Sequence, residues 1–500
     1  MLCTNFWSFC CKKNVMEETV KIKSIKGTAW SLIDNISSQG FSFVVGIVLA
    51  RLLTPKDFGT IGVLAIFIAI SNVFVECGFG NALIRKKDRS QEDLSTAFFF
   101  NLVVGCIVYL ILFLIAPLVA YFFKLPILTS LLRVLAFCIV FNSLSIVQNA
   151  VLTANLKIKT QAIINFFTQI PMGCVGVYFA YKGYGVWTLV IQQVGASFLR
   201  FLWLWFVAKW HPSKVFSHES FHYLFNFGWK LLGANLLGTF FNEIYGFVIG
   251  RFLGASDLGY YSKSKQLSEH PRSLINNVIN RVVLPMMVES QGDDIKVRDV
   301  YRRLTELICF LAFPFFGLLI LIAEPIIIII WTDKWKESII LFQFFCVGMA
   351  LGPVSTLNFC LLQVLNRTDV MLKLEFLKKP ICLLMLIVSI PFGLKGIVFI
   401  SALYNIVATI INIYPTYSLI NYPIKKQITD IFRYFFVVLI INITLYYPLS
   451  LVKHNLLWIV LGILTYPILY FYICKWLSLR GFVEASTLIT MRNNKYAGVK

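Results

Sequence analysis

The chain has 500 residues, 58% of them hydrophobic and 14% charged, with a mean hydropathy of +0.77, where soluble globular chains carry roughly 25% charged residues. That balance excludes a water-soluble enzyme or binding domain, so length here counts membrane spans instead of soluble domains. The formal net charge is +21, yet Lys and Arg recur at every second polar break and do not gather on one aromatic-interleaved patch, which argues against nucleic acid and for the positive-inside rule.

Runs of about 20 apolar residues, each enough to cross a bilayer core about 30 Å thick, recur about fourteen times. Residues 1–27 read as a cytoplasmic N-terminal segment in which Met16 is an alternative start. The expected spans are 28–50, 58–80, 95–122, 127–153, 161–181, 186–208, 228–250, 259–287, 305–330, 338–363, 370–390, 395–419, 431–451 and 455–475. Breaks carrying Arg85, Lys86, Lys87 and Arg89, or Arg298, Arg302 and Arg303, or Lys425, Lys426 and Arg433 are predicted to be cytoplasmic. The alternate breaks, Phe123-Lys-Leu-Pro126, Tyr181-Lys-Gly-Tyr-Gly185 and Pro391-Phe-Gly393, carry few charges and read as external. An even span count puts both termini in the cytoplasm.

No loop is long enough to build its own core, which is hard below about 40 residues, so function must lie within the membrane. No G-x-x-x-x-G-K-[ST] phosphate loop is present. The twelve cysteines include no C-x-x-C pair, and most lie inside apolar runs, where a thiol behaves as a small hydrophobe.

A shift of 200 positions aligns 35–59 with 235–259 without a gap. It pairs Asn35 with Asn235, Phe41 with Phe241, Gly46 with Gly246 and Val48 with Val248. It also pairs Arg51 with Arg251, Leu53 with Leu253, Asp57 with Asp257 and Gly59 with Gly259. Similarity between unrelated apolar helices would favour Leu, Ile and Val, so this register predicts an internal duplication. Six spans separate the copies, so they run in the same direction, as parallel repeats do in some transporters. The predicted fold is an all-α polytopic membrane protein with about fourteen transmembrane helices in two parallel six-helix lobes. The lobes cover 28–208 and 228–419, joined by a cytoplasmic connector at 209–227 and followed by two extra helices at 420–475 and a cytoplasmic tail at 476–500.

Several motifs resemble one family. They are Ala50-Arg-Leu-Leu-Thr-Pro-Lys-Asp-Phe-Gly59, Cys77-Gly-Phe-Gly-Asn-Ala-Leu-Ile-Arg-Lys-Lys-Asp88 and Glu92-Asp-Leu-Ser-Thr96, followed by Gly183-Tyr-Gly-Val-Trp-Thr-Leu189. Phe227-Gly-Trp-Lys-Leu-Leu232, Asp257-Leu-Gly-Tyr-Tyr261 and Arg281-Val-Val-Leu-Pro285 continue the series. Over about residues 25–420 the chain resembles the polysaccharide exporters of the MOP flippase superfamily, in the Wzx and colanic acid exporter-like branch. The resemblance implies a MATE-like fold in a bacterial inner membrane. It also implies ion-gradient-driven alternating access that moves an undecaprenyl-pyrophosphate-linked oligosaccharide outward for surface polysaccharide synthesis, without ATP, cofactor or catalysis. Expected partners are the lipid-linked oligosaccharide and membrane lipids, with a polysaccharide polymerase and glycosyltransferases alongside. The alternatives are a peptidoglycan-precursor flippase or a multidrug antiporter of the same superfamily, and a membrane metalloprotease.

The polar residues within spans are the candidate site. Span eight carries Lys265, Glu269, Arg272, Asn276 and Asn280 at spacings of three and four, with Arg281 just off that stripe. A charge at a helix centre costs roughly 2.5–3.5 kcal/mol facing lipid, so this face borders water or protein. One reading has Lys265 and Arg272 attract the pyrophosphate; the other has Glu269 neutralise both in a structural network. A site for organic cations would be net acidic, whereas this one is net basic. Further candidates are Lys230, Arg133, Arg200, Glu76 and the Asn142, Ser145, Asn149 stripe, with snorkelling the alternative for Arg200 and Lys230 and a hydrogen bond to a neighbouring helix the alternative for the stripe, while Glu324 reads as interfacial. Asp34, beside Asn35, and Glu243 are candidate ion-coupling carboxylates.

His218-Glu-Ser-Phe-His222 matches H-E-x-x-H, in which two histidines one helical turn apart bind zinc. For a third ligand only His211, His270 and His454 remain among the histidines, with no acidic motif at a telling distance, so no metal is expected. The stretch reads instead as an amphipathic surface helix presenting Phe221, Leu224 and Phe225 to lipid.

Overall fold

The computed structural model describes residues 40–86, 88–452 and 454–487, with backbone only at position 282. Asp34, Asn35, Met16 and Lys87 lie outside the described residues. The described residues form helices and no strand. α1 (Gly40–Leu52) is followed by α2 (Pro55–Glu76), α3 (Phe79–Arg85), α4 (Gln91–Phe123), α5 (Leu128–Leu135), α6 (Phe137–Ser143), α7 (Ile146–Ala154), α8 (Ile158–Tyr181), α9 (Val186–Ala208) and α10 (His218–Phe252). Then come α11 (Ala255–Val288), α12 (Asp294–Leu321), α13 (Ala323–Trp331), α14 (Glu337–Ala350), α15 (Gly352–Val364), α16 (Thr368–Ser389), α17 (Gly393–Ile420), α18 (Ile424–Ser450) and α19 (Asn455–Trp476).

Among the described residues, 10 helices are long and apolar enough to cross a membrane. One of them, Thr368–Ile420, has 53 residues, which at 1.5 Å per residue is about 80 Å and more than twice the bilayer core. It breaks at the 3-10 turn Ile390–Phe392, where Gly393 takes φ 66°, and so supplies two crossings. α10 and α11 fall outside the ten because polar residues interrupt them, and α1 is short. With these, each expected span has helix within its described residues, the first only from Gly40 on.

The chain divides into two compact units that meet in sequence at Leu258 and Gly259. The division falls downstream of the 209–227 connector because α10 packs on α2, α3 and α4. Residues 218–227 are the first turns of a 35-residue helix, continuous because nothing between His218 and Phe252 breaks it. This corrects the surface-helix expectation: Leu224 is fully buried in a cluster with Cys77, Phe79, Leu83 and Phe98, and Phe221 sits against Phe79 and Phe100. The apolar periodicity was real, but it serves a protein core.

Helix ends carry the 200-residue register too. α1 ends at Leu52 and α10 at Phe252, while α2 begins at Pro55 and α11 at Ala255. Asp57 explains one of the shared residues: its carboxylate accepts from the Thr54 backbone N–H at 2.9 Å while the Thr54 hydroxyl accepts from the Asp57 N–H, a capping box at the head of α2. Asp257 stands in the corresponding first turn of α11.

Within the second unit α18 and α19 are integral. α18 lies along α12, and α19 packs on α12, α13 and α18. A side chain at Gly317 of α12 would collide with Val438 and the Tyr466 hydroxyl, so glycine sets that approach.

Candidate functional site

In the second unit, α11 runs beside the α13–α15 stretch in the same direction. The Tyr260 hydroxyl donates to the Lys334 carbonyl and the Ser264 hydroxyl to that of Ser338, both at 3.2 Å. Arg272 lies against Gly352, where a Cβ would come within 2.8 Å of Nε. One turn on, the Thr356 hydroxyl donates to Asn276 Oδ1 at 3.1 Å, and after a further turn Cys360 Sγ lies 3.6 Å from Asn280 Oδ1. The polar stripe therefore divides. Asn276 and Asn280 hold α11 to α15, while Lys265 and Glu269 form an open pair at 3.9 Å. Glu269 pairs with Lys265 alone among the described residues, which corrects the expected network that included Arg272. Arg272 Nε is buried with no hydrogen-bond partner there, and Arg281 is exposed.

In the first unit, candidates from three spans line one cavity of about 190 Å³: Glu76 and Asn72 of α2, Asn142, Ser145 and Asn149 of the α6–α7 stretch, and Arg200 of α9. Asn142 Nδ2 donates to Asn72 Oδ1 at 3.1 Å, and Gln161 Nε2 to Asn149 Oδ1 at 3.0 Å. Arg133 lies elsewhere, with its guanidinium 4.2 Å from the Phe113 ring and Nε donating to the Phe113 carbonyl at 3.3 Å. Glu243 is half-buried on α10 with no ion pair among the described residues. Glu324 opens α13, half-buried.

A larger cavity, about 670 Å³, opens where α3 meets the start of α10. Arg85 of α3 and Glu219, His222, Tyr223 and Lys230 of α10 line it, with Asn226 and Phe227. Two local features build it. Cys77 and Gly78 turn the chain through left-handed φ values of 39° and 70° between α2 and α3, and a Cβ on Gly78 would lie 2.9 Å from Gly228 Cα. Arg85 then lies 5.2 Å above the Phe227 ring. Beside it, Lys86 is held by Asp93 at 2.7 Å. His222 thus shares its surroundings with Arg85 and Lys230, and no three of His, Cys, Asp and Glu gather as metal ligands among the described residues. Sequence reading missed this cavity. The signal that could have found it is the glycine in each of the motifs Cys77-Gly-Phe-Gly and Phe227-Gly-Trp-Lys.

Two further clusters also went unread. Lys378 of α16 is buried, pairs with the more exposed Glu375 and lies 5.0 Å from the Phe359 ring. Arg302 Nε meets Asp430 at 3.0 Å and Glu306 at 3.2 Å. The Tyr422 hydroxyl donates to Asp430 at 2.6 Å, and burial, with that bond, pushes the phenol above its usual range.

The profile of the family described as "Polysaccharide biosynthesis protein" matches residues 48–340. The chain is 23% identical to the teichuronic acid biosynthesis protein TuaB of Bacillus subtilis over 69% of this chain and 72% of that protein. It is 24% identical to the lipopolysaccharide biosynthesis protein WzxC of Escherichia coli over 72% of this chain and 74% of that one. Among solved structures, the lipid II flippase MurJ in an inward closed conformation superposes with a TM-score of 0.68 at 15% identity, over 89% of this chain and 99% of that one. An inward-facing multidrug resistance MATE family transporter of the MOP superfamily superposes at 0.58 with 14% identity, over 80% and 99%.

Proposed function

We propose, from the fact that this chain belongs to the Polysaccharide biosynthesis protein family and shares the fold of MOP-superfamily transporters, that it is a multi-pass flippase of lipid-linked oligosaccharide. In this reading it sits in a bacterial inner membrane with both termini cytoplasmic. It takes an undecaprenyl-pyrophosphate-linked repeat unit from the inner leaflet and releases it outside, driven by an ion gradient and without a chemical step on the substrate. The sequence repeats 28–208 and 228–419 are the halves that alternate access in this reading, with α10 packed on α2, α3 and α4 of the first unit. The released repeat passes to a polymerase, and glycosyltransferases supply it.

The observation that carries the reading is Arg272. A buried guanidinium Nε without an acceptor costs roughly 1–3 kcal/mol or more, and a visiting phosphate oxygen would satisfy it, with the Arg fork suited to a diphosphate. Lys265, two turns earlier on α11 and paired with Glu269 at 3.9 Å, lies on the same stripe, whereas an exporter of organic cations would gain from the opposite sign. Asn276 and Asn280 position α11, Arg281 guides the anion at the helix exit, and Glu243 or Asp34 serves the coupling ion.

Translocation of a pyrophosphate-linked oligosaccharide into proteoliposomes under an imposed gradient tests this. Arg272→Ala and Lys265→Ala should each slow transport about tenfold or more, as loss of a charge-assisted hydrogen bond predicts, while purifying as well-folded protein. Normal transport by both variants would make the stripe structural; export of organic cations by wild type, with no lipid moved, would refute the flippase.

A further inference from the structure

The geometry points to a second, separate anion site: we propose that the cavity between α3 and α10 captures the sugar-phosphate head of the lipid-linked substrate on the cytoplasmic leaflet before it reaches the α11 stripe. This deepens the flippase reading and rests on it.

Charge is the first argument. Arg85 and Lys230 both face the cavity, and neither forms an ion pair among the described residues. Lys86, one residue along, is neutralised by Asp93. Two cations thus stand uncompensated beside one carboxylate, Glu219. Leaving long cationic side chains together costs Coulomb energy that an anion would reverse.

Shape is the second. A volume of about 670 Å³ lies within the roughly 300–1,000 Å³ of small-molecule sites. Arg85 is held over Phe227, so less rotamer freedom is lost when its fork meets a phosphate. The cavity also offers more than cations. Glu219, Asn226 and the Tyr223 hydroxyl line it and can hydrogen-bond sugar hydroxyls, while the Phe227 and Tyr223 rings stand under Arg85 and Lys86. A bulk phospholipid head has no use for that second set, whereas a phosphate carrying a sugar uses both. Place is the third argument. The cavity adjoins the break with Arg85, Lys86 and Arg89, at the headgroup level that the positive-inside rule assigns to the cytoplasm.

The test uses the full chain in nanodiscs of phosphatidylcholine and a fluorescent short-chain polyprenyl diphosphate disaccharide as probe. Arg85→Gln with Lys230→Gln should weaken binding by about 10- to 100-fold, the loss of two charge-assisted contacts, and should flatten its salt dependence. Arg85→Lys with Lys230→Arg keeps both charges on the same backbone and should bind within about threefold of wild type. Phosphatidylglycerol in excess should compete poorly. Binding of the Gln variant at wild-type strength overturns the site, as does a charge-keeping variant that binds no better than the Gln variant. Equal competition by phosphatidylglycerol overturns its assignment to a sugar phosphate. Wild type that binds the probe in an Arg85- and Lys230-dependent way yet never transports it sinks the flippase reading and leaves the site standing; transport that persists with cavity-independent binding does the reverse.

Discussion

Gly228 decides how closely α10 approaches the turn between α2 and α3. A Cβ there would run into the Cys77 carbonyl and the Phe79 ring, while one on Gly233, a turn and a half further along the same helix, meets nothing within 4 Å. Gly228→Ala should therefore destabilise the protein by about 1–3 kcal/mol through overpacking, read as a lower thermal unfolding midpoint in detergent. Gly233→Ala should be neutral or slightly stabilising, since alanine favours helix; a loss of equal size at both positions would show that glycine acts through the backbone and not through contact. At this scale the sequence spoke unevenly. The spacing of Lys265, Glu269, Arg272, Asn276 and Asn280 was readable because helical period is local. Which of them faces α15 was not, because Gly352, Thr356 and Cys360 lie 80 positions away and no periodicity encodes a partner. For the same reason Arg85 and Lys230 could be seen singly and not as one cavity.

Elements show a second kind of limit. Span limits were legible because apolar run length must match bilayer thickness, and breaks were legible where Gly or a left-handed residue ends a helix, as at Gly183 and Gly393. Packing of the last two helices was not, since their apolar surface suits lipid or protein equally. The structure ties them to α12 by Arg302 and Asp430 at 3.0 Å and by the Tyr470 hydroxyl on the Phe310 carbonyl at 3.0 Å, and the segment after α19 adds Glu484 on Arg303 at 2.7 Å. Asp430 is 3% exposed, so Asp430→Ala strands a guanidinium and a phenol and should cost about 3 kcal/mol. Asp430→Asn, which still accepts from Tyr422, should cost less. The same reasoning predicts that truncation after residue 420 yields no stable protein, because it uncovers the α12 face around Gly317. Fluorescence-detected size exclusion of the truncated chain checks this; a monodisperse, heat-stable product would mean that α18 and α19 are dispensable to the fold.

For the whole molecule, sidedness is the property on which every functional statement depends. A net charge of +21 spread over alternate breaks is worth more as an address than as an affinity, since Lys and Arg in short loops stay where they were synthesised. Four breaks follow the expected alternation: α3 ends at Arg85 beside Lys86 and Arg89, α18 opens with Lys425 and Lys426, and the intervening turns at 182–185 and 390–393 are glycine-marked and nearly uncharged. Reporter fusions test the address directly. Alkaline phosphatase, active only outside the cytoplasm, should be active when fused after Gly183 or Gly393 and inactive after Arg89 or Lys426, with a cytoplasm-dependent fluorescent protein giving the complementary pattern. The inverted pattern would place the α3–α10 cavity on the outer face, where it could receive nothing from the cytoplasmic leaflet, and the capture site and the direction of transport would fall together. The expected pattern puts Arg85 and Lys230 on the side where the lipid-linked substrate is made, so that the first cations the diphosphate meets are ones that no carboxylate has already claimed.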